Sequence, residues 1–205
     1  MKHLIFDFDG TIADSGPLIY ANLTQYTKKC DLSWNELRDL SSKEVVRALG
    51  ISKLDLPKLI LQIRSDFKNK IKEQPLAADI RQAIFTLKKH GYALYIVSSN
   101  SEENISAFLT QHGLRESFSK ITSFFTIFGK SHGLAKLLKE IQVPPGEAIY
   151  IGDETRDIEA AKKVGLESLA VSWGYNSEKV LASYQPTYMA RSPRELVELL
   201  CEEHG

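Results

Sequence analysis

The sequence predicts an α/β protein: a three-layer, doubly wound parallel sheet with a small helical domain inserted after the first strand. Three observations carry this reading. From residue 77 onwards short apolar runs alternate with amphipathic helical stretches, the pattern of strand–helix–strand units in a parallel sheet. Between the first apolar run and that alternation, residues 17–73 show helical periodicity and no strand pattern. The polar motifs Asp7-Phe8-Asp9-Gly10-Thr11, Ser98-Ser99-Asn100 and Gly152-Asp153 each follow an apolar run, and ligands of such sheets bind outside the carboxyl ends of the strands.

Taken in order, residues 2–8 read as a buried strand, because Leu4-Ile5-Phe6 is an unbroken apolar run. Helices are expected at 17–29, 34–40, 42–49 and 54–72, broken by polar turns, Gly50 and Pro57. Ser33 with Glu36, and Ser41 with Glu44, are capping-box pairs that mark two helix starts. A helix at 77–90 ends at Gly91, a strand covers 93–97, and a helix at 102–112 ends at Gly113. A short strand at 121–125 and a helix at 132–141 follow, the helix stopped by Pro144-Pro145. A strand at 148–151, a helix at 156–164 closed by Gly165, a strand at 168–171 and a last helix at 193–203 complete the chain. The expected division is a core domain of residues 1–14 and 77–205 and a helical domain of residues 15–76, hung over the strand ends as a lid.

The 205 residues suit one medium domain with an insertion, and the formal net charge of +0 gives no pull towards nucleic acid or an anionic membrane. Two distant cysteines, Cys30 and Cys201, fit no disulfide framework and point to a reducing cytoplasm. No apolar run approaches the ~20 residues of a membrane helix. The N-terminal run carries the acidic motif, unlike a signal peptide. The five histidines form no His-x-x-x-His pair, which removes support for zinc hydrolase chemistry.

Side chains two apart on a strand share a face, so Asp7 and Asp9 are expected to point the same way, roughly 6–7 Å apart. Paired carboxylates resist burial without a metal, a shared proton or a reaction that uses both. Gly10 permits a sharp turn, and Thr11 adds a hydroxyl and an N–H at the same mouth. Asp153 and Asp157 are spaced i, i+4 at a helix start, which sets both on one face. Acids converging from separate loops need a cation, and hard oxygen ligands suggest Mg²⁺. Gly10, Thr11, Ser98, Ser99, Asn100 and Lys130 then suggest a phosphate ligand. Gly129-Lys130-Ser131 is not a nucleotide P-loop, since Phe124 stands where that loop needs glycine. Asp7 is placed to attack phosphorus and form an aspartyl-phosphate. Asp9 is placed to protonate the leaving oxygen and then activate water.

On these residues the chain resembles a phosphatase of the haloacid dehalogenase superfamily, close to the phosphoglycolate-phosphatase-like branch. Four motifs match in order, on Asp7-Phe8-Asp9-Gly10-Thr11, on Ser98, on Lys130, and on Gly152-Asp153-Glu154-Thr155-Arg156-Asp157. The resemblance implies a Rossmann-like core with a helical cap, nucleophile Asp7 and acid/base Asp9. It also implies Mg²⁺ held by the Asp7 side chain, the Asp9 main-chain carbonyl and Asp153, with Asp157 supporting the site. A small phosphorylated metabolite is the implied partner, acted on by a monomer or homodimer. Two positions depart from the family pattern. Ser131 follows Lys130 where members usually carry Pro, and the loop at residues 49–53 lacks the Pro-Leu that phosphoglycolate phosphatases often have. Arg47, Ser52 and Lys53 are the candidate substrate selectors on the cap. Leu56, Leu59, Ile60 and Ile63 are expected to form the cap's own small core or a dimer face. Two other readings stand beside phosphoester hydrolysis: a phosphomutase on the same fold, and a non-catalytic phosphate-binding regulator.

Overall fold

A computed structural model describes residues 3–27, 32–52, 54–70, 73–124 and 129–202. Its sheet comprises β1 (His3–Phe6), β2 (Ala93–Ser98), β3 (Phe118–Ser123), β4 (Ala148–Gly152), β5 (Glu167–Val171) and β6 (Tyr188–Ala190). The strands are all parallel and lie in the order β3-β2-β1-β4-β5-β6. The winding reverses between β1 and β4, which is where such a sheet opens a crevice at its carboxyl edge.

Period-two alternation sends strand side chains into two separate cores. Leu4, Phe6, Leu94, Ile96, Ile149 and Ile151 enter one. There they meet α5 (Ile80–Lys89), α6 (Glu102–Gln111) and α10 (Pro193–Glu202). Ile5, Tyr95, Val97 and Tyr150 enter the other, against α7 (Lys130–Ile141) and α8 (Thr155–Val164). The three expected layers are present.

Several boundaries differ from expectation. β1 ends at Phe6 and not at residue 8, because the Phe8 carbonyl turns to accept from the amides of Ile12 at 2.9 Å and Ala13 at 3.0 Å. Pro57 does not break a helix; it stands in the first turn of α4 (Leu56–Asn69), where a missing N–H costs nothing. β3 starts earlier, at Phe118. The helix α9 (Glu178–Ser183) and β6 were not expected.

The insertion consists of α1 (Gly16–Thr27), α2 (Trp34–Arg38), α3 (Ser42–Ala48) and α4. Both expected capping boxes form, at Ser33 and at Ser41. Ile51, Leu56 and Leu59 pack with Leu23, Val46, Leu49 and Ile63 into a small core of its own. Its two connections run side by side: Asp14 N–H donates to Pro75 at 3.0 Å and Ala77 N–H to Ile12 at 2.9 Å. Phe67 of α4 is fully buried in the main core, edge-on to Phe8 at 5.7 Å and near Phe108 at 6.0 Å. One aromatic trio thus joins the first acidic motif, the insertion and α6. Phe67→Ala is expected to lower stability by about 3–5 kcal/mol through the cavity it leaves, read by equilibrium urea unfolding. A loss under about 1 kcal/mol would show that α4 is not rooted there.

Candidate active site

The register fixes the site's frame. Phe6 is level with Ile96 and Ile151 on its two neighbours, so Asp7, Ser98 and Asp153 emerge within two residues of one line across the carboxyl edge. Asp7 is buried, and one of its oxygens accepts from the Phe8 amide at 2.7 Å. The other accepts from Lys130 Nζ at 2.6 Å. Lys130, the first residue of α7 and also buried, donates to Asp157 as well. Burial opposes the Lys130 charge, but the Asp157 and Asp7 carboxylates outweigh it and hold the ammonium up at about 12.

Asp157 lies in the first turn of α8, where its other oxygen accepts from the Glu154 amide at 2.9 Å. Asp153 stands before the helix, so the two acids do not share a helix face as expected. They converge because Asp157 folds back to cap its own helix. Gly152 permits this, since a Cβ there would overlap the Asp157 carboxylate.

Asp153 is fully buried and accepts from the Thr11 hydroxyl at 2.7 Å and the Tyr175 amide at 2.7 Å. Gly10, at φ +79°, and Gly174 both press on it; a Cβ at either would overlap the carboxylate. Burial, then the charges of Glu154, Asp7 and Asp157, push the Asp153 carboxyl well above its usual range.

Oxygens of Asp7, Asp153 and Asp157 lie within 4.8 Å of one another. The Asp9 side chain is outside this group; the same-face expectation needed strand geometry past the end of β1. Its carboxylate accepts instead from Ser15 Oγ at 2.9 Å and Asn100 Nδ2 at 3.2 Å. Ser15 has one hydroxyl proton and gives it to Asp9, so Tyr175, at 2.6 Å, donates to Ser15. Burial first, then the Asp7 charge, raise Asp9 to about 6 against these hydrogen bonds.

Among the described residues five acids, Asp7, Asp9, Asp153, Glu154 and Asp157, face three bases, Lys130, Arg156 and Arg64. The excess of negative charge and the hard-oxygen donors fit a divalent cation.

The remaining expected residues fall in two sets. Ser98 is buried and its hydroxyl accepts from the Asn100 amide at 3.1 Å. Ser99 and Asn100 line the crevice beside Asp9. The Gly10 amide donates to Ala13 at 2.9 Å, so Gly10, like Thr11, is engaged in building the turn. Arg47 and Ser52 are exposed and do not line the crevice. Ser52 Oγ donates to Asp55 at 2.6 Å instead. Lys53 lies outside the described residues.

Sequence reasoning missed Ser15, Arg64, Arg156 and Tyr175. Arg64 reaches from α4 to the carbonyls of Ser99, at 2.7 Å through Nε, and Phe124, at 2.8 Å. Its signal was an arginine within an apolar helical stripe, among Ile60, Ile63 and Phe67. Tyr175 follows β5, and a loop at that edge of the sheet was the available signal.

Comparison with known proteins agrees with this frame. Residues 4–171 match the family model of the haloacid dehalogenase-like hydrolases. A phosphoglycolate phosphatase of Synechococcus elongatus is 32% identical, with 98% of each chain covered. The pyrophosphatase PpaX of Bacillus cereus is 26% identical, over 97% of this chain and 96% of its own. A haloacid dehalogenase-like family hydrolase of Streptococcus pneumoniae superposes with a TM-score of 0.76 at 25% identity, 98% of each chain being covered. Protein Tyrosine Kinase A of Mycobacterium tuberculosis shares the fold, with a TM-score of 0.76 at 23% identity over 97% of each chain. The chain belongs to the haloacid dehalogenase-like hydrolase family.

A carboxyl raised on folding, as Asp9 is from 3.8 to about 6, binds its proton more tightly in the folded state. Its ionisation therefore costs stability that grows as pH rises through that window. In EDTA, Asp9→Asn is expected to match the parent near about pH 4 and to exceed it by about 1–3 kcal/mol near about pH 7. Urea unfolding at the two pH values checks this, and a less stable variant near neutrality contradicts it.

Proposed function

We propose that this member of the family is a Mg²⁺-dependent phosphomonoester hydrolase that works through an aspartyl-phosphate on Asp7. Its substrate class is a small phosphorylated metabolite, and residues 15–76 are its cap domain. The observation that carries the reading is the buried Asp7–Lys130–Asp157 cluster beside Asp153, with Asp9 held apart on its own hydrogen-bonded support.

An Asp7 oxygen attacks phosphorus, and the ester oxygen leaves with a proton from Asp9. Asp9 then takes a proton from the water that cleaves the acyl-phosphate. A carboxyl held near 6 by burial suits both transfers, since donor and acceptor forms are both accessible at neutral pH. Ser15 and Tyr175 fix its direction. Ser98, the Ser99 N–H, Asn100 and Lys130 are the phosphate-binding groups in this reading, and the Gly10–Thr11 turn shapes their mouth. The Asp7 and Asp153 carboxylates and the Asp9 carbonyl would hold the cation, with Asp157 in support. When bound, Mg²⁺ offsets the repulsion between the Asp7 carboxylate and a phosphate dianion. We also place the protein in a reducing cytoplasm, on its two distant cysteines. No described helix is long and apolar enough to cross a membrane.

Release of phosphate from p-nitrophenyl phosphate tests the reading. Turnover with Mg²⁺, its loss in EDTA, and a fall of at least about a thousandfold in Asp7→Asn are expected. Full activity of Asp7→Asn overturns the nucleophile. With a hexose phosphate as substrate, an isomerised sugar phosphate in place of free phosphate would indicate a mutase, and phosphate binding without turnover of either ester a regulator.

A further inference from the structure

We infer that the substrate's leaving group is apolar, and that the cavity between the inserted helices and the sheet is built to bury it. The inference rests on the hydrolase reading and adds the chemical class of the ester.

The cavity holds about 170 Å³, and Asp9, Ser99 and Asn100 are among its lining. The rest of its lining is mostly aliphatic, with Leu23, Leu37, Val45, Leu59, Ile60 and Ile63 contributed by four helices. An apolar cavity of about 150 Å³ is large enough to take up benzene.

The charges on its lining are balanced, Asp9 and Glu154 against Arg64 and Arg156, and give an anionic leaving group no net attraction. The described lining residues include no lysine or histidine. Arg64 is engaged with the Ser99 and Phe124 carbonyls, and Arg156 with Glu154 at 2.8 Å. Arg47 and Ser52, two of the three expected selectors, are exposed, and the third, Lys53, lies outside the described residues. A leaving group carrying a carboxylate would meet that balanced set, with both arginines already hydrogen-bonded, and a hydrocarbon wall. The relatives leave the question open, since one is named for phosphoglycolate and another for pyrophosphate.

Straight-chain alkyl phosphates from ethyl to hexyl test this, because their leaving alcohols differ little in basicity. With Mg²⁺, kcat/KM is expected to rise about fourfold per added methylene until the cavity is filled. Hexyl phosphate should then surpass 2-phosphoglycolate. Ile60→Ser should lower the hexyl-to-ethyl ratio by at least about threefold, with far-UV circular dichroism confirming that the variant folds. A flat or falling series, or faster turnover of 2-phosphoglycolate than of hexyl phosphate, overturns the apolar assignment and leaves the hydrolase standing. If no ester is hydrolysed, p-nitrophenyl phosphate included, the hydrolase reading fails and takes this inference with it.

Discussion

Burying an ammonium costs several kcal/mol unless opposite charge is buried with it. Lys130 is 2% exposed, and its partners Asp7 and Asp157 are as deeply placed. These three residues come from the end of β1, the start of α7 and the first turn of α8. The ion cluster forms only if all three loops meet at the carboxyl edge. Removing the lysine would leave two uncompensated carboxylates in the interior, a larger penalty than the pair itself is worth. The cluster is also incomplete as a charge balance. Asp153 is pushed up by its burial first and then by the charges of Glu154, Asp7 and Asp157, which the bases present do not neutralise. The constraint that organises the loops therefore also creates the demand for a further cation.

What the sequence made legible follows from burial. Strands covered on both faces read as unbroken apolar runs, which is why Leu4-Ile5-Phe6 and Ala148-Ile149-Tyr150-Ile151 could be placed before any geometry was known. A carboxylate directly after such a run has few structural uses, so Asp7 and Asp153 stood out. The elements α9 and β6 are six and three residues long, too short for either periodicity to register.

Orientation was harder to read than position. Val45, Val46 and Arg47 are consecutive in α3, yet the valines line the cavity while Arg47 is exposed. At 100° per residue, one step along a helix turns a side chain from crevice to solvent. The sequence located the inserted helices but did not say which face met the sheet. Arg64 and Tyr175 were hidden for a related reason. Their roles depend on long-range partners, Ser99 and Phe124 for one and Ser15 for the other, and no local spacing encodes those.

The insertion is fastened to the core by two attachments of different kind. On one side α4 is rooted through Phe67 in the aromatic trio and through Arg64 on two backbone carbonyls. On the other, α2 and α3 hold the core through polar contacts. Arg38 donates to the Ser172 carbonyl at 2.7 Å, Ser42 to Glu154 at 2.9 Å, and exposed Lys43 to Glu159 at 2.6 Å. Water replaces polar contacts at a surface for about 0–1 kcal/mol each, whereas drawing a phenylalanine out of a packed core costs several. The two edges are therefore unlike: α4 is anchored by a packed ring, α2 and α3 mainly by hydrogen bonds, with Trp34 of α2 edge-on to Tyr175 at 6.0 Å. That polar edge adjoins Glu154 and Arg156, which line the cavity leading to Asp9.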